Sequence, residues 1–144
     1  MPSPPPLPPD ASPAAVVAID PGTAKCGVAV LSAAGHVLAR AIVSLGALEE
    51  TLDPYLAAHP RLLVGNGTGF RPVLDLLTHA GWTDAQVVEE KGTTLEARRL
   101  YFQHRPPRGW RRLIPLSFLV PPRPIDDWAA VAIALKYLDT GSPA

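Results

Sequence analysis

Apolar residues fall along this chain in short runs separated by turn formers, and two periodicities take turns. Residues 14–19, 26–31 and 37–43 are three apolar runs of strand length, joined by Asp20-Pro21-Gly22-Thr23 and by a glycine-containing hairpin connection over 32–36. They predict a three-strand meander. From 45 to 58 the spacing of Leu48, Leu52 and Leu56 is helical, and Pro54 either kinks that helix or marks a late start capped by Asp53. Leu62-Leu63-Val64 predicts a short central strand. Residues 70–80 predict a helix that puts Val73, Leu74, Leu76 and Leu77 on one face and stops at Gly81. A fifth strand is expected over 85–89, followed by a helix to about Gln103 that opens on the capping-box pattern Thr93-Thr94-Leu95-Glu96. Prolines break up residues 104–124, as in a long loop over a site. The last helix begins near Asp126 and is apolar nearly all round, which fits burial against a sheet.

Strands in a meander, then strands alternating with helices, predict one α/β domain over 14–140 with a mixed sheet and helices on both faces. Residues 1–13, mostly proline with serine and aspartate, read as a disordered tail, and 141–144 as a short one. With 144 residues and 47% hydrophobic content, a single domain can build a real core. No run is long enough to cross a bilayer, so no membrane partner is expected. The lone Cys26 excludes an internal disulfide, and with no export signal in view a reducing cytoplasm is the expected location.

Formal net charge is zero, which argues against a general nucleic-acid coat protein. The distribution of charge says more. Between Lys91 and Arg123 lie Arg98, Arg99, Arg105, Arg108, Arg111 and Arg112, with Glu96 the only acid among them, while the preceding part of the chain is mainly acidic. A basic stripe beside acids suits a phosphate backbone, although such a run also serves simply as a solvated face.

Three acids end or begin different apolar elements: Asp20 after the first strand, Glu90 after the fifth, and Asp126 at the head of the last helix. Each has an ordinary explanation alone. Asp followed by Pro favours a turn, Asp126 and Asp127 can cap a helix, and of the adjacent Glu89 and Glu90 only one can face a site. Brought together by one sheet, however, they form a cluster of like charge that hard divalent cations with oxygen ligands would hold, and that predicts metal-dependent phosphodiester chemistry with no protein nucleophile. Thr23 and Lys25 return beside Asp20, and Lys25, Arg98 and Arg99 are candidates to grip the substrate's phosphates. In Gly65-Asn66-Gly67-Thr68-Gly69, Asn66 and Thr68 are candidates to hold a phosphate or a nucleotide sugar, without the lysine of a P-loop. The four histidines and Cys26 have no zinc spacing, and Ser44, Ser117 and Cys26 sit in no nucleophile context.

Taken together, Val17-Ala18-Ile19-Asp20-Pro21-Gly22-Thr23 with Gly27-Val28-Ala29-Val30, Glu89-Glu90-Lys91 with Thr93-Thr94-Leu95-Glu96-Ala97, and Ile125-Asp126-Asp127 with Tyr137-Leu138-Asp139 resemble the YqgF family. These are the RuvX-type, Holliday-junction-resolvase-like proteins of the ribonuclease H-like superfamily, and the resemblance covers about residues 16–139. It implies a ribonuclease H-like mixed five-stranded sheet with helices on both faces. It also implies a nuclease using Mg2+ or Mn2+ that acts on ribosomal RNA precursors or on Holliday-junction-like branched DNA, with a homodimer compatible. By position, Asp20 matches the family's first-strand aspartate, Glu90 the second acid of its Asp-Glu-Arg motif, and Asp126 its final-helix aspartate. Glu89 and Lys91 stand where that motif has aspartate and arginine. Two other readings stay open. The 65–68 segment resembles the corresponding domain of Tex-type transcription accessory proteins, where the same fold serves as a catalytically silent nucleic-acid or protein-binding module. The Asp-x-Gly-Thr turn resembles actin-like ATPases, which need two lobes where this chain has room for one.

Overall fold

The computed structural model describes residues 14–90, 92–115, 119 and 121–140. The expected tails at 1–13 and 141–144, together with Lys91 and Ser117, lie outside the described residues. Strands β1 (Ala14–Asp20), β2 (Lys25–Ser32) and β3 (Val37–Ser44) form the antiparallel meander, because their connections are short enough for hairpins. On its other side β1 pairs in parallel with β4 (Arg61–Gly65), which pairs in parallel with β5 (Gln86–Val88), so the sheet runs β3-β2-β1-β4-β5. The crossovers that parallel pairing demands carry helix α1 (Leu48–Leu56) and helix α2 (Phe70–His79). Helices α3 (Thr93–His104) and α4 (Asp126–Thr140) follow.

β1 lies at the centre with both faces covered, which is why it reads as an unbroken apolar run. Its odd positions Val17 and Ile19 join Val28, Val30, Leu62 and Val64 against Leu48, Leu52, Val73 and Leu77 of α1 and α2. Its even positions Val16 and Ala18 join Ala29, Leu31 and Leu63 against Ala97 and Tyr101 of α3 and Ala130, Val131, Ile133 and Ala134 of α4. The alternation therefore sends Asp20, two residues past Ala18, to the α3 and α4 face. Alanines on both sides of that second interface let α4 approach the sheet closely.

One open alternative is settled and two expectations are corrected. Helix α1 runs from Leu48 through Pro54 to Leu56, so Asp53 is not its cap; Leu48 and Leu52 are fully buried, and the proline falls in the final turn. The capping box at Thr93 does not form. Gly92 takes the cap position in a left-handed conformation (φ 84), the Thr93 hydroxyl donates to the Glu90 carbonyl at 2.6 Å, and Glu96 pairs with Arg99 instead. β5 ends at Val88 rather than Glu89, where Asn66 N–H donates to the Val88 carbonyl at 2.9 Å and closes the ladder. No helix among the described residues is long and apolar enough to cross a membrane.

Candidate active site

Register explains how three distant acids meet. Asp20 pairs across the sheet with Gly27 of β2, and on its other side the Ile19–Val64 pairing brings Gly65 of β4 alongside. At Gly27 a Cβ would collide with the backbone of Asp126 and Asp127, so its absence is what lets the first turn of α4 sit on the sheet there. At Gly65 and again at Gly67 a Cβ would collide with the Glu90 carboxylate, which is packed between them. Asn66 fixes the same residue from behind, its Oδ1 accepting from the Glu90 N–H at 3.2 Å. Asp20 is thus flanked by two glycines, and each opens a place for one further acid.

Asp20, Glu90 and Asp126 line one cavity of about 160 Å³ with Thr93, Thr94, Ala97, Ile125 and Ala129, and among the described residues no lysine or arginine contributes to that lining. The cost of this arrangement shows in protonation. The Asp20 carboxyl is pushed from its ordinary 3.8 up to about 8, by burial first, then by its hydrogen bond to Glu90 and the negative charges of Glu90 and Asp126. The field reaches β2 as well. Buried Cys26 is pushed up to about 11, by desolvation first and then by Asp20 and Asp126.

The neighbouring acids have other fates. Asp127 is buried and ion-paired, 2.9 Å from Arg40 of β3 and 3.3 Å from Arg123, and it accepts from the Trp128 N–H at 3.0 Å. Arg40 also lies over the Trp128 ring, 4.2 Å from its centre, an arrangement the sequence did not signal. Glu89 is exposed, and its carbonyl accepts from Lys136 at 3.5 Å.

None of the other candidate substrate-binding residues lines the acidic cavity. Thr23, Lys25, Asn66 and Thr68 are exposed on or beside two touching loops, since Gly69 approaches the Gly22 carbonyl closely. Arg98 is half-buried on α3, and Arg99 is exposed, paired with Glu96 at a separate hollow lined also by Lys136 and Asp139. Thr93 and Thr94, read from sequence only as capping residues, are the polar side chains that join the three acids.

The chain matches no protein-family model and no curated protein sequence. Solved structures do match it. RuvC of Thermus thermophilus, in complex with a Holliday junction substrate, superposes with a TM-score of 0.52 at 20% identity over 88% of this chain and 96% of that one. A second Thermus thermophilus RuvC structure gives 0.50 at 15% identity over the same shares. The fold is ribonuclease H-like. At this identity the likeness speaks to the fold, and the case for the site rests on its geometry.

Among the described residues no three His, Cys, Asp or Glu side chains stand as a finished metal-binding group. Asp20 instead holds its own proton, its carboxyl pushed up to about 8, with Glu90 as a hydrogen-bond neighbour. The donor set nonetheless fits a hard divalent cation, being all carboxylate oxygen beside threonine hydroxyls, with no basic side chain among the described residues of the cavity wall. A cation there would replace the proton.

Proposed function

We propose that this protein is a divalent-metal-dependent nuclease of the YqgF and RuvX type that hydrolyses phosphodiester bonds in structured nucleic acid. Its substrates are Holliday-junction-like branched DNA or ribosomal RNA precursors, and it works in the cytoplasm. The observation that carries this reading is Asp20, placed between two glycines whose missing side chains admit Glu90 and Asp126, with no basic side chain among the described residues of the cavity lining. The motifs around Asp20, Glu90 and Asp126 support the YqgF assignment, and the likeness to a RuvC in complex with a Holliday junction supports branched DNA.

Asp20, Glu90 and Asp126 would hold Mg2+ or Mn2+, which when bound supplies Lewis acidity and an activated water for in-line displacement at phosphorus. The chain's own residues prepare the place. Gly65, Gly67 and Asn66 fix Glu90, while Gly27 seats the first turn of α4 over Asp20. Thr93 and Thr94 open α3 at the cavity wall; the Thr93 N–H donates to the Glu90 carbonyl, and the amides of Thr94 and Leu95 that follow can receive a phosphate oxygen. Thr23, Lys25, Asn66 and Thr68 on the bordering loops, and Arg98 on α3, would position the flanking backbone without reading its sequence. A homodimer would present two such centres to the matching arms of a junction.

One observation favours a second reading, a catalytically silent nucleic-acid-binding module: with its carboxyl pushed up to about 8, Asp20 keeps a proton near neutral pH and calls for no cation. Labelled four-way junctions, linear duplexes and structured RNA incubated with Mg2+ or Mn2+ separate the two. Cation-dependent cutting that falls about a thousandfold or more in Asp20→Asn, with binding retained, is the expected result. Asp20→Asn cutting at the parent rate would end the assignment, and a parent that binds all three substrates but cuts none would establish the second reading.

A further inference from the structure

The segment that follows α3 is absorbed by neither the core nor the acidic cavity. Residues 105–108 are rich in proline and arginine, and a single 3-10 turn, Gly109–Leu113, then carries Trp110 outward with 70% of its surface exposed. The other two tryptophans are buried, Trp82 at 4% and Trp128 at 7%. Leaving an indole in water is costly for a side chain that buries so much apolar area elsewhere, and it is the usual mark of a surface that meets a partner. Trp110 lines a groove of about 1160 Å³ together with Tyr101, Arg105, Arg108, Arg111 and Ile114. No acid contributes to the described lining of that groove. The Arg111 guanidinium stands 5.9 Å from the centre of the Trp110 ring, so a positive charge and an aromatic face are offered side by side.

We infer that this groove binds an unpaired nucleic-acid strand, its phosphates held by Arg105, Arg108 and Arg111 and one of its bases stacked on Trp110. The pairing of ring and charge selects this occupant. A duplex would engage the arginines through its phosphates but would give Trp110 no open base to stack on, whereas an unpaired strand supplies both contacts at each nucleotide. An acidic peptide would satisfy only the arginines. Position adds to the argument: Ala97 lines the acidic cavity and Tyr101 lines the groove, so the two are about one helical turn apart along α3. A strand leaving the groove toward the N-terminal end of α3 would pass the carboxylates. The groove's link to cleavage rests on the nuclease reading above; its binding activity does not.

Tryptophan fluorescence in EDTA tests the groove with no cation present. Short oligothymidine and oligouridine strands should quench the exposed indole emission, and the affinity should fall with salt. Trp110→Ala should remove the quench and weaken binding roughly tenfold or more, whereas Trp110→Phe, which keeps a ring, should retain most of the affinity. Arg108→Ala with Arg111→Ala should flatten the salt dependence. Unchanged affinity in Trp110→Ala would overturn the proposal, as would equal quenching by a duplex of the same length or by polyglutamate. Asp20→Asn should bind and quench like the parent. If Asp20→Asn cuts like the parent while Trp110→Ala loses binding, the nuclease reading fails and the groove stands; if Asp20→Asn loses cleavage while Trp110→Ala binds normally, the groove fails and the nuclease reading stands.

Discussion

Asp126 and Asp127 are adjacent at the start of α4, yet one turns toward acids and the other toward arginines. Asp127 meets Arg40 and Arg123 and is neutralised by them, a tie between α4 and the sheet edge. Asp126 faces Asp20 and Glu90 in a cavity whose described lining holds no basic side chain, and burial together with like charge drives Asp20 to keep its proton to about pH 8. Both clusters sit on the same face of the same sheet. What separates structure from chemistry here is compensation: a buried carboxylate with its partner is a fastening, and a group of carboxylates without one is a site waiting for positive charge.

Substitutions can break either side of the contrast. Removing the fastening should cost the most stability. Asp127→Ala strands Arg40, which is a quarter exposed, and should lower unfolding free energy by about 2 to 3 kcal/mol in urea titrations while leaving cation uptake at Asp20 intact. A variant as stable as the parent would show that the pair is not a fastening. Gly65→Ala acts on the other side. The new methyl takes the place of the Glu90 carboxylate, and cleavage should fall about a hundredfold with the fold retained by circular dichroism. Full activity would show that Glu90 need not lie against Gly65.

Protonation sharpens the same contrast with a smaller effect. In the folded chain Asp20 binds its proton up to about pH 8, and in the unfolded chain only to about its ordinary 3.8, so the folded state holds more protons across that window. Its contribution to stability is therefore fully present below pH 3.8 and is lost as pH rises toward 8. Without divalent cation, Asp20→Asn should gain on the parent as pH rises, melting roughly 5 °C higher at pH 8 than the parent does, with the gap narrowing at acid pH. A gap independent of pH would contradict the raised Asp20 value.

Much of the fold is legible in the sequence, because each strand is a continuous apolar run bounded by turn formers and the helices announce themselves by leucine spacing. The three acids are legible as residues at the ends of elements. Their convergence is not, since it depends on register: Gly27 and Gly65 mean nothing until β1 is laid between β2 and β4. The Arg40–Asp127 pair joins positions 87 residues apart and leaves no local trace. Thr93 to Glu96 satisfies the capping pattern, but Gly92 reaches the left-handed cap conformation more cheaply, and the threonines are left to line the cavity. Likewise the prolines of 104–124 mark where regular structure ends, yet give no sign that Trp110 faces outward.

Uptake of Mn2+ with the accompanying release of protons tests the central claim most directly, because an ion entering between Asp20, Glu90 and Asp126 must displace the proton that Asp20 carries up to about pH 8. Calorimetric titration at neutral pH, repeated in buffers of different ionisation enthalpy, reads both quantities. The parent should bind Mn2+ with release of about one proton, and Asp20→Asn should show neither binding nor release. Equal uptake by the two proteins, or uptake by the parent with no proton released, would contradict the account.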